Sequence, residues 1–205
     1  MSKKATNNSQ IFKHKVLTEK QVVKNILKIY GKATNQHKAQ DWYKEANKLA
    51  IDFAYLFNIQ INQAAGIIAS LSPIKSWNEN KDCAFSFLEY GHAKHTACFT
   101  QKARDILRAT EDKAILKILN GLKIRSFFTN IVHPDKAKDV TIDRHAVSIS
   151  LNRWITDNES LSLTKKQYNF FVDCYIKAAK RIGIRPSLLQ SITWCTFREI
   201  KEEYR

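Results

Sequence analysis

Glycine and proline are scarce in this chain of 205 residues: five Gly and three Pro punctuate long stretches rich in Ala, Leu, Ile and Lys. The scarcity disfavours an all-β sandwich, whose many turns consume both residues, and favours helices. Apolar runs long enough to span a bilayer, about 18 residues, are absent too, so no membrane partner is expected. Met1 to Val16 lacks the apolar core of a signal peptide. The four cysteines, Cys83, Cys98, Cys174 and Cys195, have no C-x-x-C pairing and read as reduced thiols of a cytoplasmic protein. His92, His95 and Cys98 are spaced three apart but lack an evident fourth ligand, so neither a metal nor another cofactor is predicted. Acidic residues are the last shortage: 19 Asp and Glu stand against 34 Lys and Arg, a net charge of +15.

That surplus is the balance of a polyanion binder, because each phosphate contact releases condensed counterions. A hydrophobic content of 44% supports a folded core, either one compact domain or two small lobes. Residues 1–16 carry Lys3, Lys4, Lys13 and Lys15 with no acid and read as a flexible basic arm. Thr18-Glu19-Lys20-Gln21 has the form of a capping box before a helical apolar pattern that Gly31 closes. Periodicity predicts further helices over about 39–57, 61–71, 77–90, 100–108, 112–119, 122–132, 143–154, 164–182 and 186–201. The 61–71 helix is apolar almost all round, as in a bundle centre, and ends at Ser72-Pro73. Neither an internal repeat nor a low-complexity linker interrupts the pattern, so a single domain over 17–205 is expected.

Two segments carry chemistry. The first is Leu119-Asn120-Gly121-Leu122-Lys123-Ile124-Arg125-Ser126-Phe127, a glycine-centred turn between helical patterns. The second is Val140-Thr141-Ile142-Asp143-Arg144-His145-Ala146-Val147, a carboxylate after a short apolar run. The first resembles the helix-hairpin-helix of endonuclease III-type DNA glycosylases, whose pattern is Leu-Pro-Gly-Val-Gly-x-Lys-Thr-Ala. The second resembles that family's apolar-Val-Asp-Thr-His segment, which carries the catalytic aspartate. The separation of Arg125 and Asp143 matches the family's interval between these features. Ile67 to Pro73 and Leu189 to Arg198 resemble two further family helices, so the likeness spans roughly residues 60–200. The Ser-Pro, Trp-x-x-Asn and Ile-Asp-Arg-His-Ala elements together also resemble small bacteriophage proteins of the same superfamily.

The resemblance implies an all-α, helix-hairpin-helix glycosylase-like fold with a cleft between two helical lobes, one of about 60–137 and the other of 17–59 with 138–205. It implies double-stranded DNA with a flipped-out base as partner, and hydrolysis of an N-glycosidic bond to release a damaged or modified base. Asp143 and Arg125 occupy the catalytic positions. Gly121, Lys123, Arg125, Arg144 and Lys75 are candidate backbone contacts, while Trp77 and Asn80 share a helical face where the family inserts side chains into the stack. Elementary physics supports the grip independently: a helix N-terminus presents free N–H groups and partial positive charge to a phosphate. Base extrusion costs a few kcal/mol and needs such a hold.

Two departures from the family pattern matter. Its second hairpin glycine is Lys123 here, which tolerates a positive φ poorly, so a different turn or a weaker grip is expected. Its Schiff-base lysine falls on Arg125, whose guanidinium stays protonated, so a monofunctional activity without efficient strand cleavage follows. Base hypermodification on the same fold and a non-catalytic DNA clamp are the alternatives. For Asp143 the competing role is a plain helix N-cap; for His145 it is structural support.

Overall fold

The computed structural model describes residues 9–12, 15–39 and 41–204. The chain opens with two short strands, β1 (Ser9–Phe12) and β2 (Lys15–Thr18), paired antiparallel with Ser9 opposite Thr18 and Phe12 opposite Lys15. Eleven α-helices are described: α1 (Glu19–Gly31), α2 (Asn35–Ala39), α3 (Trp42–Leu56), α4 (Ile61–Ser70), α5 (Trp77–Tyr90), α6 (Ala97–Leu107), α7 (Asp112–Ile118), α8 (Leu122–Val132), α9 (Arg144–Leu151), α10 (Lys165–Ile182) and α11 (Pro186–Ile200). A 3-10 turn, Lys201–Tyr204, follows. The fold is helical apart from the ribbon, and no described helix is long and apolar enough to cross a membrane. The ribbon corrects the expectation of a flexible arm over 1–16 for residues 9–12, 15 and 16; residues 1–8, 13 and 14 lie outside those described.

The described residues fall into two compact units, one of residues up to Trp42 together with Lys138 onward, the other Tyr43–Ala137. Helix α3, expected with the chain ends, therefore belongs almost wholly to the middle segment. Its first turns are tied to α8 and the chain beyond: Asn47 Nδ2 donates to Ile131 O (2.8 Å), Tyr43 lies 6.4 Å from Phe127 between ring centres, and Lys44 pairs with Asp135 at 2.9 Å.

In the unit formed by both ends of the chain, Thr18 caps α1 by accepting the Gln21 N–H (3.3 Å). Val22, Val23, Ile26 and Ile29 are fully buried against α9, α10 and α11. Asn25 spans this core, its amide donating to Ser150 O at 2.8 Å. Helix α10 begins in a capping box of Thr164 and Gln167 and buries Tyr168, Phe171, Cys174 and Tyr175. His37 fastens α2 to α11, with Nε2 at 2.9 Å from Glu199 and Nδ1 at 3.2 Å from Thr196 Oγ1.

In the Tyr43–Ala137 unit, α4 is the central helix, buried from Gln63 through Leu71. Gly66 allows its neighbours to approach: a Cβ there would meet Ile115 Cγ2 at 2.9 Å and Ile106 Cγ2 at 3.0 Å. Gln63 Nε2 donates to Leu107 O (2.9 Å), and Asn62 Nδ2 to Thr110 O (2.8 Å) and Asp112 Oδ1 (3.2 Å). Asn62 thus sits at the start of α7 and Gly66 beside its middle, so α4 and α7 run in the same direction while α6 runs against them.

Candidate functional site

Because α4 and α7 are parallel, the chain leaving α4 at Leu71 and the chain leaving α7 at Leu119 emerge at one end of the Tyr43–Ala137 unit. The hairpin stands there. Gly121 caps α8 with φ +87° and ψ 139°, a conformation essentially reserved for glycine, and no side chain caps the helix behind it. Lys123 lies inside the first turn of α8 with an ordinary negative φ. The expected conflict at the second glycine position does not arise, since Gly121 alone absorbs the reversal. Arg125 folds back so that its Nε donates to Leu119 O at 2.8 Å, strapping the two arms of the hairpin together.

At the same end of the unit is a second turn, Ser72-Pro73-Ile74-Lys75. Lys75 N–H meets Ser72 O at 3.4 Å, and Ile74 sits at φ +61° with 90% of its surface exposed. This is the pattern of a type II turn, with proline second and a positive φ third, a place usually held by glycine. A β-branched residue there is strained by about 1–2 kcal/mol, and Ile74 forgoes burial as well. Lys75 is half-buried in the same turn, and Trp77 opens α5 with the Lys81 ammonium 6.0 Å from its ring centre. Asn80, expected beside Trp77 on a DNA-facing surface, is 2% exposed. Its Nδ2 donates to Ile68 O (3.0 Å), fixing the last turn of α4, so Asn80 points inward and is structural. Sequence reasoning missed Ile74; Pro73 in a turn-forming position was the signal available.

Asp143 belongs to the other unit. Val140, Thr141 and Ile142 form a buried extended segment held by Tyr168, whose hydroxyl donates to Val140 O (3.0 Å) and accepts the Ile142 N–H (3.2 Å). The segment delivers Asp143 to the start of α9. Helix α9 begins one residue later than expected and ends at Asn152 in the left-handed conformation, short of Trp154. Asp143 Oδ1 accepts the Ala146 N–H at 2.8 Å and Oδ2 accepts from Trp194 Nε1 at 2.9 Å, with His145 Nδ1 3.7 Å from Oδ2. The side chain is 17% exposed, so it is not sealed from solvent. Trp194 is wedged in turn between Trp42, 5.7 Å between ring centres, and the Arg198 guanidinium, 4.6 Å above its ring. The N-cap role is therefore real, and it leaves a carboxylate oriented by two hydrogen bonds beside an aromatic and cationic cluster.

Arg144, a candidate phosphate contact, turns its guanidinium onto the following loop. It donates to the carbonyls of Thr156 and Glu159, the latter at 2.7 Å, and approaches Asp157 at 3.6 Å. Its first task is to order that loop. Among the described residues no group of three or more His, Cys, Asp or Glu side chains is arranged to hold a metal ion.

A family model described as "Family of unknown function (DUF7178)" matches residues 8–201, so the chain belongs to that family. No curated protein and no solved structure matches it.

Proposed function

We propose that this member of the family binds duplex DNA through the hairpin end of its Tyr43–Ala137 unit and hydrolyses an N-glycosidic bond with Asp143. The observation that carries the reading is the Asp143 carboxylate, pinned by a backbone N–H and an indole N–H yet not sealed from solvent. In the reaction the C1′–N bond breaks, its electron pair leaves with the base, and positive charge develops on the sugar. A fixed carboxylate stabilises that charge and accepts a proton from the water whose oxygen bonds to C1′; the departing base takes its proton from solvent. Preorientation matters because hydrogen-bonded groups need not reorganise as charge develops.

The grip is assigned to the N–H groups of α8 behind Gly121, with Lys123 adding charge and Arg125 keeping the hairpin closed. Ile74 replaces Asn80 as the side chain offered to the base stack: it is apolar, exposed and already strained outward, as wedges between base steps require. Arg125 as a strap agrees with a monofunctional reaction, since a guanidinium forms no Schiff base.

The test is mass-spectrometric detection of free bases after incubating the protein with normal, damaged and modified duplexes, beside Asp143→Asn. Release that vanishes in the variant is the expected result. Binding without release from any duplex sinks the hydrolase reading and favours base modification or a DNA clamp, which an added small-molecule substrate would tell apart.

A further inference from the structure

Arg198 stands apart from Arg144 and Arg153. Arg144 spends its guanidinium on the Thr156 and Glu159 carbonyls, and Arg153 pairs with the Glu159 carboxylate through two hydrogen bonds of 3.0 Å. Arg198 is exposed, and among the described residues no carbonyl or carboxylate accepts a hydrogen bond from it. Glu199, its neighbour in sequence, turns to His37 instead. What holds Arg198 is the ring of Trp194, one turn back on α11 and 4.6 Å from the guanidinium. A cation–π contact leaves N–H donors to spare, and arginine supplies five of them in a fixed fork that matches two oxygens of a phosphate. The same indole turns its edge to the catalytic candidate, Nε1 donating to Asp143 Oδ2 at 2.9 Å, and packs on Trp42 at 5.7 Å between ring centres. One rigid ring system therefore sets the separation of cation and carboxylate. A nucleotide has the same plan: a phosphate on one side, the C1′ carbon on the other, and a single deoxyribose between them.

We propose that Arg198 binds the backbone phosphate flanking the nucleotide whose C1′ faces Asp143, with Trp194 as the spacer between the two groups. The inference rests on the DNA reading above, and it gives Arg198 the phosphate contact for which Arg144 was the candidate. Arg198 then matters at one phosphate of the duplex and at no other. A surface arginine that only shields Trp194 has no such preference.

The test scans the backbone. Duplexes with one tetrahydrofuran abasic site, which hold a sugar there with no base to extrude, are made with a neutral methylphosphonate in place of one phosphate at a time. Their affinities for wild type and Arg198→Gln are compared. Neutralising the phosphate next to the site is expected to cost wild type about tenfold in affinity and Arg198→Gln less than about twofold, because both changes remove one contact. Methylphosphonates farther along should cost the two proteins alike. Arg198→Lys keeps the charge without the fork and should recover part of the coupling. Equal losses for wild type and Arg198→Gln at every phosphate overturn the assignment. A wild-type protein that binds no duplex overturns the DNA reading and this inference with it, whereas coupling in a protein that releases no base upholds Arg198 and overturns the hydrolysis alone.

Discussion

At the scale of single residues, Asp143 performs two jobs that substitution can separate. Asparagine caps a helix as well as aspartate does, so Asp143→Asn should keep α9 and lose the negative charge. Asp143→Ala removes the cap and should cost about 1 kcal/mol besides. Thermal melting of the two variants checks the difference. Ile74 offers the opposite trade. Replacing it with glycine relieves the positive φ, so Ile74→Gly is expected to gain about 1 kcal/mol of stability while losing the unstacking of DNA; a variant that melts lower, or unstacks as wild type, refutes that assignment. His95 brings a pH dependence. Burial is the main cause that holds its pKa below the ordinary imidazole value, helped by the Lys75 charge and opposed by the carbonyls of Pro73 and Leu71. Because folding favours the neutral ring, its contribution to stability is complete above the unfolded value of about 6.5 and fades as pH falls through that value toward the lower folded one. An NMR titration of the ring protons should show a midpoint below the free value.

At the scale of elements, close packing around α4 sets the geometry of the hairpin end. Gly66→Ala gains up to about 1 kcal/mol of helix propensity but drives a methyl against the Cγ2 atoms of Ile106 and Ile115, a clash of roughly 1–3 kcal/mol. The net effect should be a lower melting temperature with weaker DNA binding, since a displaced α7 misaligns the hairpin. Helix limits were largely legible in the sequence because capping residues and apolar period act locally: α5 and α10 start where Ser76 and Thr164 cap them. What was not legible depends on distant partners. Residues 9–12, 15 and 16 read as part of an arm because the segment is basic and lacks acids, whereas β1 and β2 pair with each other and meet α10 and α1. Asn80 was misplaced because spacing gives a shared face with Trp77 but not that Asn80 points inward. Ile74 was missed because a positive φ runs against the preference of a β-branched residue, and Trp194 because its spacing gave no sign of reaching Asp143.

At the scale of the whole molecule, a net charge of +15 makes any DNA binding strongly salt-dependent. Lys123→Ala should weaken binding across sequences alike and lower the slope of log affinity against log salt by about 1. An unaltered slope would remove Lys123 from the phosphate contacts.

The interrupted unit has a consequence in time. Its core joins α1 to α9, α10 and α11, through ties such as Asn25 to Ser150, so the first helix is made long before its partners exist. The Tyr43–Ala137 segment, by contrast, is continuous and contains α5, α6, α7 and α8, the helices packed on α4. As the chain leaves the ribosome, that segment can fold first while α1 waits with its apolar face uncovered, and only the arrival of residues beyond 138 ends the wait. Nascent chains stalled before α9 should therefore be the ones that recruit chaperones, while the segment that carries the glycine-centred turn is already folded.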